Sequence, residues 1–181
     1  MVEIFKLDTI NGPDEFASIV EQVKTIFYVS SSLKEFSSEE KRTAFFRRWC
    51  GDYIKLYPDQ FLLMMEDDKL LGYLSGCLNS SSAAPMLEVP GFNIFSDLFE
   101  QFPAHFHINF SPACRGRGLG TSLVEHFCDD LKLQGIQGCH LVTSTGAANI
   151  SFYHRAGFNY EVQREFHQSK LLFMGRILEH C

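Results

Sequence analysis

The residues His105 to Phe158, HFHINFSPACRGRGLGTSLVEHFCDDLKLQGIQGCHLVTSTGAANISFYHRAGF, decide how the chain is read. Their first six, His105-Phe106-His107-Ile108-Asn109-Phe110, alternate polar with apolar and run into Ser111-Pro112. That predicts a central strand stopped by a proline, which has no N–H to donate to a ladder. Next comes the loop Arg115-Gly116-Arg117-Gly118-Leu119-Gly120, of the form R-x-x-G-x-G. Its glycines let the main chain curl and approach a ligand, offering backbone N–H groups from about Cys114 to Gly120. Leu119, Leu123, Val124, Phe127 and Leu131 have helical spacing and mark the buried stripe of a helix that starts at the loop. A helix N-terminus carries free N–H donors and partial positive charge, which suit phosphate oxygens. Arg115 and Arg117 add cationic side chains. Taken alone, a tight structural turn explains such a loop equally well. It is neither the G-x-x-x-x-G-K-[ST] of a nucleotide P-loop nor the G-x-G-x-x-G of a dinucleotide fold.

The second half of the stretch is more specific. Gly135-Ile136-Gln137-Gly138 ends the helix, Cys139 to Thr143 forms a strand, and Ala147 to Ala156 forms a short helix closed by Gly157-Phe158. The order strand, R-x-x-G-x-G, helix, strand, and helix with FY-x-x-x-GF resembles the GCN5-related N-acetyltransferase (GNAT) family over roughly residues 61–175. Tyr53-Ile54-Lys55-Leu56 with Pro58, FLLMMEDDKLLGYLSG, PAHFHINFSP and GCHLVTST are also similar to the acetyltransferase-like domain that accompanies some O-GlcNAc hydrolases.

The resemblance implies an α/β (α+β) fold. Its mixed, mostly antiparallel sheet would have six to seven strands flanked by about four helices, with a splayed parallel pair at 105–110 and 139–144. It implies acetyl-CoA as cosubstrate and no metal. The backbone of Ile108, Asn109 and Phe110 would meet pantetheine. The amides of Cys114, Arg115, Gly116, Arg117, Gly118, Leu119, Gly120 and Thr121 would hold the pyrophosphate, with the Thr121 hydroxyl either reaching a phosphate or capping the helix. Tyr153 matches the tyrosine that protonates the departing thiolate, an acid role open to any phenol that is protonated at neutral pH. Two departures stand out. Gly146 occupies the place of a frequent cofactor-contacting asparagine, for which Asn149 is a substitute. The strand also lacks a carboxylate to serve as base, which leaves His107 and His105 as candidates, on the assumption of an imidazole near 6.5. The function implied is transfer of an acetyl group to a primary amine, small-molecule or peptide, by direct attack in a ternary complex. The alternative is a catalytically degenerate acyl-CoA-binding or protein-interaction module.

Working outward, residues 2–8 read as a strand, Asn11 to Asp14 as a turn, and the run from Pro13 through Phe16, Ile19, Val20, Val23, Ile26 and Phe27 as a helix. A second helix begins near Ser37 or Ser38, with Ser37 and Glu40 spaced as a capping box. It continues through Phe45, Phe46 and Trp49, with Arg42, Arg47 and Arg48 on its wetter side, until Gly51 interrupts it. Tyr53 to Tyr57 forms a short helical or extended link. Phe61–Met65 and Leu70–Leu78 read as a hairpin, with Gly72 and Gly76 marking a bulge or a close backbone approach. Phe92 to Phe102 reads as a short helix that either packs on the core or lines a substrate entrance. Two strands follow at 159–166 and 170–176.

One domain over 1–181 is expected from the 181-residue length. The net charge of −6, without a basic run, argues against nucleic acid as a partner. No stretch reads as a signal peptide or membrane span, and no C-x-x-C pair suggests zinc. Six cysteines, with Cys77, Cys128 and Cys139 in apolar segments, suit a reducing cytoplasm. The sequence leaves oligomeric state open, a homodimer included.

Overall fold

The computed structural model describes residues 1–114 and 116–179. The strands are β1 Val2–Lys6, β2 Phe61–Glu66, β3 Lys69–Cys77, β4 Ala104–Phe110, β5 Gly138–Ser144, β6 Tyr160–Phe166 and β7 Ser169–Ile177. The helices are α1 Pro13–Ser30, α2 Glu39–Phe46, α3 Asp52–Leu56, α4 Ser80–Ala83, α5 Leu119–Leu133 and α6 Ile150–Arg155. The seven strands form one sheet in the order β1-β2-β3-β4-β5-β7-β6. Where β4 meets β5 the pairing is parallel, Ala104 with Cys139 and His105 with His140. The pairings of β1 with β2, β2 with β3, β5 with β7 and β6 with β7 are antiparallel. This is the mixed architecture expected; α3 falls where a short helical or extended link was read, and α4 is a four-residue helix in a segment the sequence did not mark. No helix among the described residues is long and apolar enough to cross a membrane.

The chain divides into two compact units, Met1–Gly76 with His107–Leu123, and Cys77–Phe106 with the chain from Val124 on. In the first, Pro13 opens α1 with Asp14 and Glu15 in its first turn, where acidic side chains face the positive end of the helix. Ile19, Val23, Ile26 and Phe27 form its buried stripe. The hairpin turns at Asp67-Asp68, with Asp67 at φ 53°, a conformation aspartate tolerates better than most residues. Phe61 to Met65 are all buried, as expected of a strand covered on both faces. The register shifts between Met64 and Met65, so the bulge is real. Gly72 is there because a Cβ would lie 2.3 Å from the Phe110 ring.

Two expectations for the second helix need correction. The cap is Ser38, whose side chain accepts from the Lys41 N–H at 3.3 Å, one residue later than the Ser37 spacing implied. Gly51 does not end the helical path. Arg47–Gly51 forms a π-helical turn that joins α2 to α3. Glycine costs about 1 kcal/mol in a helix but does not forbid one. Cys50 and Tyr53, both fully buried, hold the segment in place.

In the second unit, Phe92–Leu98 is a 3-10 helix with a kink at Phe95. Phe92, Phe95, Phe99 and Phe102 are buried together with Phe173. The aromatic run therefore packs on the core. Arg176 places both terminal guanidinium nitrogens on Glu125, at 2.6 and 3.0 Å, and donates to the Ala156 carbonyl at 2.9 Å. Such a fork holds its partners by geometry as well as charge.

Candidate functional site

The loop between β4 and α5 is built from backbone. Pro112–Cys114 makes one 3-10 turn, closed by Cys114 N–H to the Ser111 carbonyl at 2.9 Å. Arg115 lies outside the described residues. Gly116 and Gly118 adopt φ of +76° and +75°. An added Cβ at either would meet nothing within 4 Å, so conformation rather than space requires glycine here. Gly116, Arg117 and Gly118 are exposed, Leu119 and Gly120 half-buried. The Gly118 carbonyl accepts from Ser122 N–H at 3.3 Å. Gly118 is thus the residue before the helix, and Thr121, exposed, is the third residue within it rather than its cap. The Arg117 guanidinium does not reach out alone. It pairs with Glu66 at the end of β2, Nη2 to Oε1 3.0 Å, and both groups are partly exposed.

β4 carries two histidines with different fates. His105 belongs to the interior of the second unit, 2% exposed. Its Nδ1 lies 2.8 Å from Ser80 Oγ, whose own proton goes to the Pro103 carbonyl at 2.7 Å. Nδ1–H is therefore the donor to serine. The ring stands edge-on to Phe92 at 4.9 Å. An imidazole so placed lies within the core packing, with its Nδ1–H committed to Ser80.

His107, in the first unit, has its Nε2 3.1 Å from the Tyr53 hydroxyl. Trp49 and Tyr53 meet its ring edge-on, at 5.5 and 5.3 Å. Burial pushes this imidazole down to about 4, because a charged ring would lose its solvation. The assumed value near 6.5 does not hold. The ring is neutral at pH 7 and a weak base.

The strand residues after His107 are tied into the same unit. Asn109 Nδ2 donates to Tyr73 Oη at 3.0 Å, and Tyr73 is fully buried. The Phe110 carbonyl accepts from Ser30 Oγ at 3.1 Å. Ser111 N–H donates to the Leu71 carbonyl at 2.8 Å. Ile108 is half-buried. The carboxamide of Asn109 thus orders the strand, and its chemistry gives it no part as a base.

In the second unit, α6 carries Tyr153, 6% exposed. Asn149 Nδ2 donates to its hydroxyl at 3.3 Å. Phe106, Phe152 and Phe158 surround the ring edge-on, at 6.3, 5.0 and 6.4 Å. Burial pushes the phenol up to about 12. It stays protonated throughout the range in which an enzyme works. Gly146 is exposed, and a Cβ added there would meet nothing within 4 Å. His154 is exposed and bonded to Glu161 at 2.6 Å.

The sequence reading missed Tyr53, Trp49, Ser30 and Glu66 as neighbours of these groups. One signal was available. Phe45, Trp49, Tyr53 and Tyr57 recur every fourth residue, a stripe hidden by treating Gly51 as a break. Nothing in the sequence marks Ser30 or Glu66. Among the described residues, no group of three His, Cys, Asp or Glu side chains is placed to hold a metal.

A family model described as the acetyltransferase (GNAT) family matches residues 26–158. Among solved structures, one named SsHAT is similar over 99% of each chain, with a TM-score of 0.71 and 19% identity. The ribosomal-protein-S18-alanine N-acetyltransferase from Escherichia coli covers 100% of this chain and 96% of its own, with a TM-score of 0.59 and 16% identity. The structure of yncA from Salmonella typhimurium with its cofactor acetyl-CoA covers 100% and 96%, with a TM-score of 0.57 and 18% identity.

Proposed function

From the premise that this chain belongs to the acetyltransferase (GNAT) family, we propose that it moves the acetyl group of acetyl-CoA to a primary amine by direct attack. The observation that carries this reading is the loop at Gly116 and Gly118. Two left-handed glycines open a 15-residue helix with exposed backbone, a form that suits phosphate oxygens. The main chain from Cys114 to Thr121 would grip the pyrophosphate, with Ile108 to Phe110 along pantetheine. When bound, acetyl-CoA supplies an activated thioester.

The neutral amine nitrogen would first bond to the acetyl carbon. The carbon–sulfur bond would then break as the nitrogen sheds one proton to water, and the phenol of Tyr153, having protonated the sulfur, would be restored from water. Tyr153 gives its phenolic proton to the departing sulfur, and Asn149 holds that hydroxyl in place. His107 is too weak a base to strip an ammonium. The amine therefore arrives neutral, its proton left to water, and the rate tracks its neutral fraction. Positioning and desolvation supply the rest of the acceleration. Five buried cysteines without disulfides suit a reducing compartment, and we place the protein in the cytoplasm on that ground.

Calorimetry with acetyl-CoA tests the cofactor. Absence of binding at sub-millimolar ligand removes it. Thiol release over a panel of amines tests transfer. Binding without release with any amine favours the degenerate acyl-CoA-binding module instead.

A further inference from the structure

In the first unit, successive residues of β3 hold successive residues of β4 in reverse order. The Leu71 carbonyl accepts from Ser111 N–H at 2.8 Å, Gly72 leaves room for the Phe110 ring, and Tyr73 Oη accepts from Asn109 Nδ2 at 3.0 Å. Side chains alternate across a strand, so Phe110 and Asn109 are gripped on opposite faces. His107 shares the Asn109 face by the same alternation, and its Nε2 is bonded to a second phenol, Tyr53 Oη, at 3.1 Å. At the end of the strand Ser30 Oγ donates to the Phe110 carbonyl at 3.1 Å. A strand held on both faces does not roll about its axis. Its main-chain N–H and C=O groups therefore keep one direction, which a ligand bonded to backbone requires.

Tyr73 is the member of this set that packing does not explain. It is fully buried, with its ring stacked on Phe61 at 5.3 Å and 15°. A phenylalanine would fill the same space without bringing a hydroxyl into the core, where an unpaired one is costly. A carboxamide N–H can only donate, so the phenol oxygen accepts from Asn109. Its own proton is left for the neighbouring Cys50 thiol. Cys50 lies in the π turn at Arg47–Gly51, so one hydroxyl ties that turn to β4. Burial pushes both groups up, the thiol to about 12, and both are neutral at pH 7. The pair orders its surroundings and carries no charge to do so.

We propose that Tyr73 is a positioning residue for the cosubstrate: acting through the Asn109 carboxamide, it aims the backbone of Ile108 to Phe110 at pantetheine. This rests on the acetyl-transfer reading above, which sets those three residues along pantetheine, and adds a residue outside that contact set. The bond from Asn109 to Tyr73 is the link, and the affinity for CoA is where its loss shows.

The test is a double-mutant cycle on Tyr73→Phe and Asn109→Leu in the full chain. Calorimetry gives the Kd for CoA, thermal melts give the stability of each variant, and thiol release from acetyl-CoA is followed over a panel of amines. Each single substitution should weaken CoA binding about tenfold, the worth of one well-placed hydrogen bond. In the Asn109→Leu background, Tyr73→Phe should weaken it by less than about twofold further, because the link is already cut. A tyrosine that served the fold alone would lower Tm and leave the Kd of the folded protein unchanged.

An unchanged Kd in Tyr73→Phe overturns the positioning role and leaves acetyl transfer standing. So does a full tenfold loss on adding Tyr73→Phe to Asn109→Leu, since the effect would then bypass Asn109. Should Tyr73→Phe fail to fold, Asn109→Leu decides alone: a tenfold loss supports the role and an unchanged Kd overturns it. The expected cycle with no thiol release from any amine supports the role and overturns acetyl transfer. Absence of CoA binding by the wild type overturns both.

Discussion

The loop that opens α5 and the enclosed rings at His107 and Tyr153 are two ways of making a functional group from a polypeptide. The loop is exposed and made of main chain. Its requirements are local: two residues with φ above +70° and a helix behind them. The rings are made by their surroundings. Burial drives His107 down to about 4 and Tyr153 up to about 12, opposite shifts with one cause. In each case the charged form is the one that loses water, so both groups become neutral. The loop is suited to holding charge, and the rings to working without it.

The contrast breaks most visibly at Tyr153. Tyr153→Phe should lower kcat about 100-fold, with acetyl-CoA affinity by calorimetry unchanged. A kcat within threefold of wild type removes Tyr153 as the acid.

His107 comes next, and its effect has a sign. Its folded value, about 4, lies below the unfolded 6.5. As pH falls between these values the unfolded chain takes the proton first. The stability contribution is therefore complete above about pH 6.5 and is lost on the way down to about pH 4. Thermal melts of wild type and His107→Phe over that window should differ progressively. Wild type should lose about 2 kcal/mol more than the variant, a few degrees in Tm. Parallel melting curves would mean the ring is not desolvated. For the same reason kcat/KM should rise with pH from 6 to 9 without an inflection near 6.5. An inflection there that vanishes in His107→Phe would restore His107 as base.

On the loop side, Gly118→Val forces a β-branched residue into a left-handed conformation, at about 1–2 kcal/mol. Acetyl-CoA should bind about tenfold more weakly, with kcat at saturation retained. Unchanged affinity would show that the turn serves the fold alone. The smallest effect belongs to the partly exposed Arg117–Glu66 pair. Glu66→Gln should shift acetyl-CoA affinity less than threefold, and less still in 0.5 M salt.

Much of this molecule was readable from particular residues. Pro112 after an alternating strand, the three glycines of the loop and the Leu119-to-Leu131 stripe placed the loop and the helix behind it before any contact was known. The hairpin glycine was readable too, although only the Phe110 ring explains it. Gly51 was misread because helix propensity is a weak prior, and the packing of Cys50 and Tyr53 outweighs it. That single misreading concealed the aromatic stripe.

What the sequence determined alone was whatever depends on neighbours a few residues apart: turns, helix starts, left-handed glycines and the loop they make. Only the tertiary structure decided what surrounds each imidazole of β4. His105 and His107 are the same residue type two positions apart on one strand. Ser80 and Phe92 enclose the first, and Trp49 and Tyr53 enclose the second. Tyr53 comes from 54 residues away. A side chain's proton affinity is set by the solvent it loses and the partners it gains, and both are fixed by packing between distant segments.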